Sequence, residues 1–245
     1  MKNSIFYSFI IIILLSFIGI SGCVINKIEN DHLTISLKES VQGRPVHIEI
    51  RKGEYWSREM KVGPVIFNVL PQIAIWAETP GGEFLETIYV TGAQGKGVKH
   101  AGKREKGADF YSECFPLWAS RILSADESLP SMKNPYPDTI TSATPTSGFT
   151  LQTKLKRENT DLVIFLEINK SDDTNTVYTE EKNDWAGQPS LIYSVPVNGT
   201  ASGRNYVMTL AGHGGLIKDE PDLYTDMSGF DTALRQVKSI SVRFE

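Results

Sequence analysis

The chain has few of the residues that build common catalytic and covalent sites. Its 245 residues contain only two cysteines and four histidines. No His-x-x-x-His spacing is present, which argues against a catalytic zinc site, and no Gly-x-Ser-x-Gly motif marks a nucleophile elbow. The carboxylates are numerous but follow no spacing typical of a general acid and base pair. The sequence therefore nominates no catalytic residue.

Positive charge is also in the minority. There are 25 Lys and Arg residues against 29 Asp and Glu residues, so the formal net charge is -4. General nucleic-acid binding depends on a basic surface that displaces counterions from phosphates. The composition therefore excludes nucleic acid as an expected partner.

The amino-terminal segment lacks charge almost completely. Lys2 precedes an apolar stretch at 5–20, and Ile20-Ser21-Gly22-Cys23 follows it. This is the order of an export signal, and its end resembles the lipobox of bacterial lipoproteins. We expect 1–22 to be a signal peptide and Cys23 to receive lipid (palmitate among its acyl chains), leaving 23–245 outside the cytoplasm on the cell membrane or outer membrane. The alternative is an uncleaved transmembrane anchor.

Lipid on Cys23 leaves Cys114 without a partner for an internal disulfide. Nothing beside Cys114 in the sequence would stabilise a thiolate, so we expect a buried, unreactive thiol there.

Alternation with a period of two dominates the rest of the chain and is typical of β-strands. It appears at 33–37 and 46–50, with a turn at 42–44 between them, and at 72–78 and 83–91, joined by Thr79-Pro-Gly-Gly82. The run 161–168 is continuously apolar apart from Asp161 and Glu167, which is typical of a central strand. Further strands are predicted at 191–197, 205–211 and 239–244.

Short strands with Gly and Pro turns predict an all-β fold, an antiparallel β-sandwich of immunoglobulin-like type in one domain. Helices are scarce, and we predict only short ones at 116–123 and 230–236. Between 92 and 145 there is no persuasive strand, so we expect a long irregular insertion that carries one short helix and folds over one end. A connection of this length in a compact domain is usually either functional or disordered.

The insertion begins with a basic, glycine-rich segment. Lys99, His100, Lys103 and Arg104 could bind an anion or lipid head groups. The segment matches neither nucleotide-binding glycine motif, and an ordinary solvated loop explains the same residues.

Closely spaced oxygen side chains follow the strand at 161–168. Asn169, Asp172, Asp173 and Asn175 are residue types that bind calcium. Position six of the segment is Thr174 rather than glycine, so the helix-loop-helix calcium motif is not met. A turn stabilised by Asn and Asp side chains is the competing interpretation, so no cofactor is expected and calcium stays an alternative.

Trp118, Asp138 and His213 are further candidate binding residues. His213 lies within Gly212-His213-Gly214-Gly215, where glycines can mark either a ligand site or a tight loop. A hydrolase or metal-dependent enzyme would need these three side chains to converge in one pocket.

Several short motifs follow one another along the chain, at 73–78, 86–91, 115–118, 137–145, 166–175, 187–193 and 211–214. Together they resemble an uncharacterised family of bacterial periplasmic proteins and lipoproteins, a domain of unknown function. The resemblance covers about 63–245 and implies a sandwich related to immunoglobulin or fibronectin modules, without any established catalytic residue. Some members of that family occur beside periplasmic flavin-transfer and redox proteins, and the basic segment after Thr91 departs from its pattern.

The sequence thus predicts a membrane-anchored binding or accessory module. Its expected partners are membrane lipid, through the acylated amino terminus, and an envelope protein or a glycan. The alternative function is an extracytoplasmic hydrolase or metal-dependent enzyme on the same scaffold.

Overall fold

The computed structural model describes residues 25–29, 32–37, 42–95, 114–131, 133–135, 144–156, 160–179, 187–200, 202–216 and 220–245. Six residues singled out from the sequence lie outside this set, as does the leader at 1–22: Cys23, Lys99, His100, Lys103, Arg104 and Asp138.

The all-β prediction is confirmed, since nearly half of the residues lie in strands of mostly antiparallel sheets. In chain order the elements are β1 (Ile25–Glu29), β2 (His32–Ser36), β3 (Arg44–Lys52), β4 (Arg58–Val62), β5 (Val65–Val69), β6 (Gln72–Glu78), β7 (Phe84–Val90), α1 (Gly92–Gly95), α2 (Pro116–Ser124), β8 (Phe149–Leu155), β9 (Leu162–Asn169), β10 (Leu191–Val197), β11 (Asn205–Val207), β12 (Thr209–His213), a 3-10 turn (Ala233–Arg235) and β13 (Val237–Phe244).

The strands form two large sheets and one small one. The six-stranded sheet has the order β1-β2-β8-β3-β13-β11, and the five-stranded sheet has the order β12-β10-β9-β6-β7. Strands β4 and β5 pair only with each other among the described residues. Two broad sheets with alternating apolar residues can bury those residues only by packing face to face, which gives a sandwich.

The main core fills the space between the two large sheets. Val46, Ile48 and Ile50 alternate along β3 and have no exposed surface, as their sequence pattern predicts. Tyr89 of β7 and Phe149 of β8 meet across the layers with ring centroids 5.8 Å apart. One continuous apolar cluster therefore holds the two sheets together.

A second core lies on the other face of the five-stranded sheet. The predicted short helix is present as α2, and Trp118 and Ile122 are both fully buried on one of its faces. They belong to one buried cluster with Ala74 and Trp76 of the sheet strand β6. The insertion at 92–145 was expected to fold over one end, but its helix covers a sheet face. This explains why the central strand β9 is apolar on both faces.

Two details of strand order differ from the sequence prediction. The turn at 42–44 does not join a hairpin, because β8 lies between β2 and β3 and pairs in parallel with β2. The strand predicted at 205–211 divides at Met208, with β11 in the six-stranded sheet and β12 in the five-stranded sheet. Both differences arise from pairing between strands distant in sequence.

The directions of the strands distinguish the two ends of the sandwich. Strands β3, β7, β9 and β12 all finish at one end, which we call the loop end. Strand β1 begins at the opposite end, since Ile25 pairs with Ser36, and that row continues through Gln152 to His47 near the start of β3. We call this opposite end the β1 end.

Candidate functional site at the loop end

The structure gathers the described candidate residues at the loop end. Asn169 is the last residue of β9 and His213 the last residue of β12, while Trp118 lies in the first turn of α2. Asn169 and His213 lie at the same end because β9 and β12 run in the same direction on either side of β10. Asp138, the third residue of the predicted enzyme pocket, lies outside the described residues.

A buried carboxylate connects these elements. Glu167 of β9 accepts hydrogen bonds from the Ser190 hydroxyl at 2.6 Å and from the backbone N–H of Trp118 at 2.8 Å, with a longer contact of 3.4 Å to the N–H of Leu117. The first N–H groups of a helix have no partner within the helix. Glu167 therefore caps α2 from a neighbouring strand and fixes the start of the helix on the sheet.

Glycine is required beside this carboxylate. A Cβ atom on Gly214 would lie 2.5 Å from Oγ of Ser190, 2.7 Å from Cγ of Pro116 and 2.8 Å from Oε1 of Glu167. The glycines around His213 thus mark a close packing contact, one of the two explanations that the sequence left open.

Burial raises the pKa of the Glu167 carboxyl to about 7, and the hydrogen bonds from Ser190, Trp118 and Leu117 oppose that rise. Such a value would suit a general acid or base at neutral pH. However, the side chain has no exposed surface and its oxygens already accept from three protein donors. Its geometry is that of a helix cap and not of a group that meets a substrate.

The side chains of Trp118 and His213 point to different surroundings. The indole Nε1 of Trp118 donates to the Thr87 hydroxyl at 3.0 Å. The His213 ring packs against Tyr224 and Phe230, with centroids 5.4 Å and 5.1 Å away. The two backbones meet around Glu167, but the two rings do not converge on a shared pocket.

The tautomer of His213 follows from one hydrogen bond. Its Nδ1 accepts from the N–H of Gly215 at 3.1 Å, so the neutral ring carries its proton on Nε2. Together with 8% exposure, this contact makes His213 part of the packing of the 220–230 segment.

A second polar cluster, the Asp173 network, lies beside the first. The Asp173 carboxylate accepts from the Thr232 hydroxyl at 2.8 Å and from Nε2 of Gln236 at 3.0 Å, and Nζ of Lys170 lies 3.7 Å away. Lys170 is only 1% exposed and donates to the carbonyl of Tyr55 at 2.6 Å. Burial lowers the pKa of Lys170, while the charge of Asp173 opposes that change. The network ties the end of β9 to the turn before β13.

The four residues considered for calcium binding have separate partners. Asn169 donates to the carbonyl of Cys114 at 3.2 Å, and Asp172 approaches Arg58 at 3.9 Å. Oδ1 of Asn175 accepts from the backbone N–H groups of 177 and 178, as in an Asx turn. Asp173 belongs to its network. No group of three or more His, Cys, Asp or Glu side chains within the described ranges could hold a metal ion.

An open depression lies at the other end of the molecule. It has a volume of about 260 Å³, and Arg44, Gly199 and Glu245 contribute to its lining. Arg44 there donates to the carbonyl of Gly199 and its guanidinium lies 4.2 Å from the Phe244 ring centroid. This depression is at the β1 end and does not involve the residues nominated from the sequence.

Sequence reasoning missed Glu167, Lys170 and the hairpin of β4 and β5. A single carboxylate inside the apolar run 162–168 is itself a signal, because a charged residue on a strand buried on both faces must have buried partners. Gly63-Pro64 was the signal for the hairpin. Gly63 has φ of 59°, as the first central position of a two-residue type II′ turn requires.

Comparisons with known proteins return no relative from which a role could be transferred. The chain matches no family model, no curated protein and no solved structure. In the part of the chain that the structure describes, no helix is both long enough and apolar enough to cross a membrane.

Proposed function

We propose that this protein is a lipoprotein, anchored through Cys23 on the outer side of a bacterial membrane, that acts as a binding or accessory module for an envelope partner. The lipobox-like sequence 20–23 supports the anchor. Acyl chains contribute roughly 0.8 kcal/mol for each buried methylene, so more than one chain gives stable attachment.

The position of β1 is the observation that best supports this arrangement on the membrane. Strand β1 starts two residues after Cys23, at the end of the sandwich opposite the loop end. An anchor so close to β1 would hold the β1 end beside the bilayer. The loop end would then face outward, where a partner can reach it.

The character of the loop end favours binding over catalysis. Three ionisable side chains at this end are buried, and their hydrogen bonds hold α2 and the surrounding loops in place: Glu167, Lys170 and Asp173. Rigid elements that carry exposed loops are a common design of recognition modules. The exposed hairpin of β4 and β5 leaves the fold at this same end.

Replacing Cys23 tests the anchor. We expect Cys23→Ala to abolish labelling by an alkyne analogue of palmitate and to move the protein from the membrane fraction to the soluble fraction, or to leave unprocessed precursor. The matched control is Cys114→Ala, which removes the other thiol. Cys114 is fully buried, so this variant should keep the label and stay with the membrane.

Either of two results would contradict the proposal. One is a Cys23→Ala protein that remains in the membrane fraction at the size of the mature wild type. The other is a wild-type protein whose purified form begins at Met1 without acyl chains.

A further inference from the structure

The hairpin of β4 and β5 exposes three adjacent apolar side chains. Val65, Ile66 and Phe67 are 58%, 62% and 42% exposed. Val65 and Phe67 lie on one face of the hairpin, with Met60 paired to Phe67, and Ile66 lies on the other. Only the last residue of β5, Val69, is buried against the body. Adjacent exposed apolar residues of this size usually mark a contact surface.

The outer edge of β5 is also open. No third strand pairs with this hairpin among the residues that the structure describes. Alternate residues of an edge strand turn their N–H and C=O groups away from the existing partner, and these groups can pair with another strand. The sequence Val-Ile-Phe-Asn-Val contains no charge and no proline. By contrast, Arg58, Glu59 and Lys61 make β4 a charged edge.

The other sheet edges formed by the described strands are protected. Strand β1 contains Lys27 and Glu29, and β11 is only three residues long. The pairing of β7 with β6 and of β12 with β10 is interrupted by register shifts. Charges, short length and bulges are the usual means of preventing edge pairing. Strand β5 has none of them, so its edge is the exception that calls for a partner strand.

We propose that β5 pairs with β5 of a second copy of this chain, joining the two hairpins into one four-stranded antiparallel sheet. A two-fold axis at Phe67 places Phe67 opposite its own copy and Val65 opposite Val69 of the second copy. Ile66 then lies opposite Asn68 of the second copy. Because the strand is apolar at both ends and in its middle, it complements itself in this register, as a symmetric interface requires.

The size of the surface sets the strength of this contact. The three exposed side chains offer on the order of 300 Å² for each copy, well below the roughly 800 Å² per partner of stable complexes. The pairing is therefore reversible and depends on local concentration. Confinement of the chains to one surface would favour it, but the contact itself does not depend on the lipid anchor.

Disulfide trapping in the full chain tests the pairing. Phe67→Cys places two thiols across the two-fold axis at a Cα separation of about 5 Å, which suits a disulfide. Lys61→Cys is the matched control, because its two copies would lie at least three strand spacings, about 14 Å, apart. Whole cells are oxidised before lysis, and wild type is treated in parallel to measure any contribution from Cys23 and Cys114. We expect on the order of tenfold more disulfide dimer from Phe67→Cys than from Lys61→Cys.

A second pair of cysteine variants keeps the Phe67 ring, and it tests the pairing even if removal of that ring weakens the contact. Chains with Ile66→Cys and chains with Asn68→Cys, produced together, should form a mixed disulfide more efficiently than either chain alone. The proposal is overturned if neither design exceeds the Lys61→Cys control. It is also overturned if the Phe67→Cys chain forms no disulfide dimer and its thiol, in membranes, does not react with water-soluble thiol reagents. The hairpin would then be immersed in lipid. Because all the chain in the cell is sampled, the result is independent of the Cys23→Ala experiment.

Discussion

Replacing Glu167 by Gln should change how stability depends on pH. Glutamine has the same shape and can still accept the N–H of Trp118 through Oε1, while its amide group can donate to Ser190. It cannot ionise. The variant therefore removes the titration of this buried group while retaining most of the cap on α2.

The magnitude follows from the pKa of Glu167. Its value rises from 4.5 to about 7 in the folded protein, mainly through desolvation, and a rise of this size corresponds to about 3 kcal/mol. Between these two pH values the folded state holds a proton that the unfolded state has lost. The contribution of Glu167 to stability is therefore complete below pH 4.5 and is lost as pH rises to about 7.

Urea denaturation of both proteins at about pH 5 and about pH 8 measures the effect. The contributions of all other titrating groups cancel when the free energies of unfolding of the two proteins are subtracted at each pH. Relative to wild type, Glu167→Gln should gain about 2 to 3 kcal/mol in free energy of unfolding between the two pH values. An equal difference at both pH values would refute the argument. A larger loss for the variant at the higher pH would also refute it, since the ionised carboxylate would then be the better cap.

Two further predictions concern the neighbouring loops. Asp173→Ala should lower the free energy of unfolding by about 3 to 5 kcal/mol, because it leaves the buried ammonium of Lys170 without a counter-charge. Adding Lys170→Met should recover much of this loss, and a cost below about 1 kcal/mol for Asp173→Ala would show that the Asp173 network contributes little. Millimolar calcium should leave the melting temperature unchanged, because the oxygens of Asn175 and Asp173 already accept from protein donors; a clear rise would instead establish a calcium site.

Local patterns were sufficient to predict most individual elements. The hairpin joining β6 and β7 follows from Thr79-Pro-Gly-Gly82, where Gly82 adopts φ of 87°. The apolar run predicts β9 as a central strand, and the spacing of Trp118 and Ile122 predicts the buried face of α2. Strand β8 was not predicted, although the alternation through Phe149, Leu151 and Leu155 is itself a local signal for a strand.

The candidate site was only partly predictable. The sequence pointed to Trp118, Asn169 and His213 separately, and the structure shows them at one end of the sandwich. It did not indicate that Glu167 and Ser190 connect them, because these contacts join residues 23 to 50 positions apart. The basic segment with Lys99 and Arg104 lies outside the described residues, and its role stays a prediction.

By itself, the sequence determined the strand periodicity, the turns and the apolar faces, since these depend on residues within a few positions of one another. Only the tertiary structure decided the strand order, the division of the chain at Met208 and the capping of α2 by Glu167. It also decided that no other strand among the described residues pairs with the outer edge of β5. These features depend on which distant strands pair, and that choice is made by the burial of whole faces and the pairing of buried polar groups.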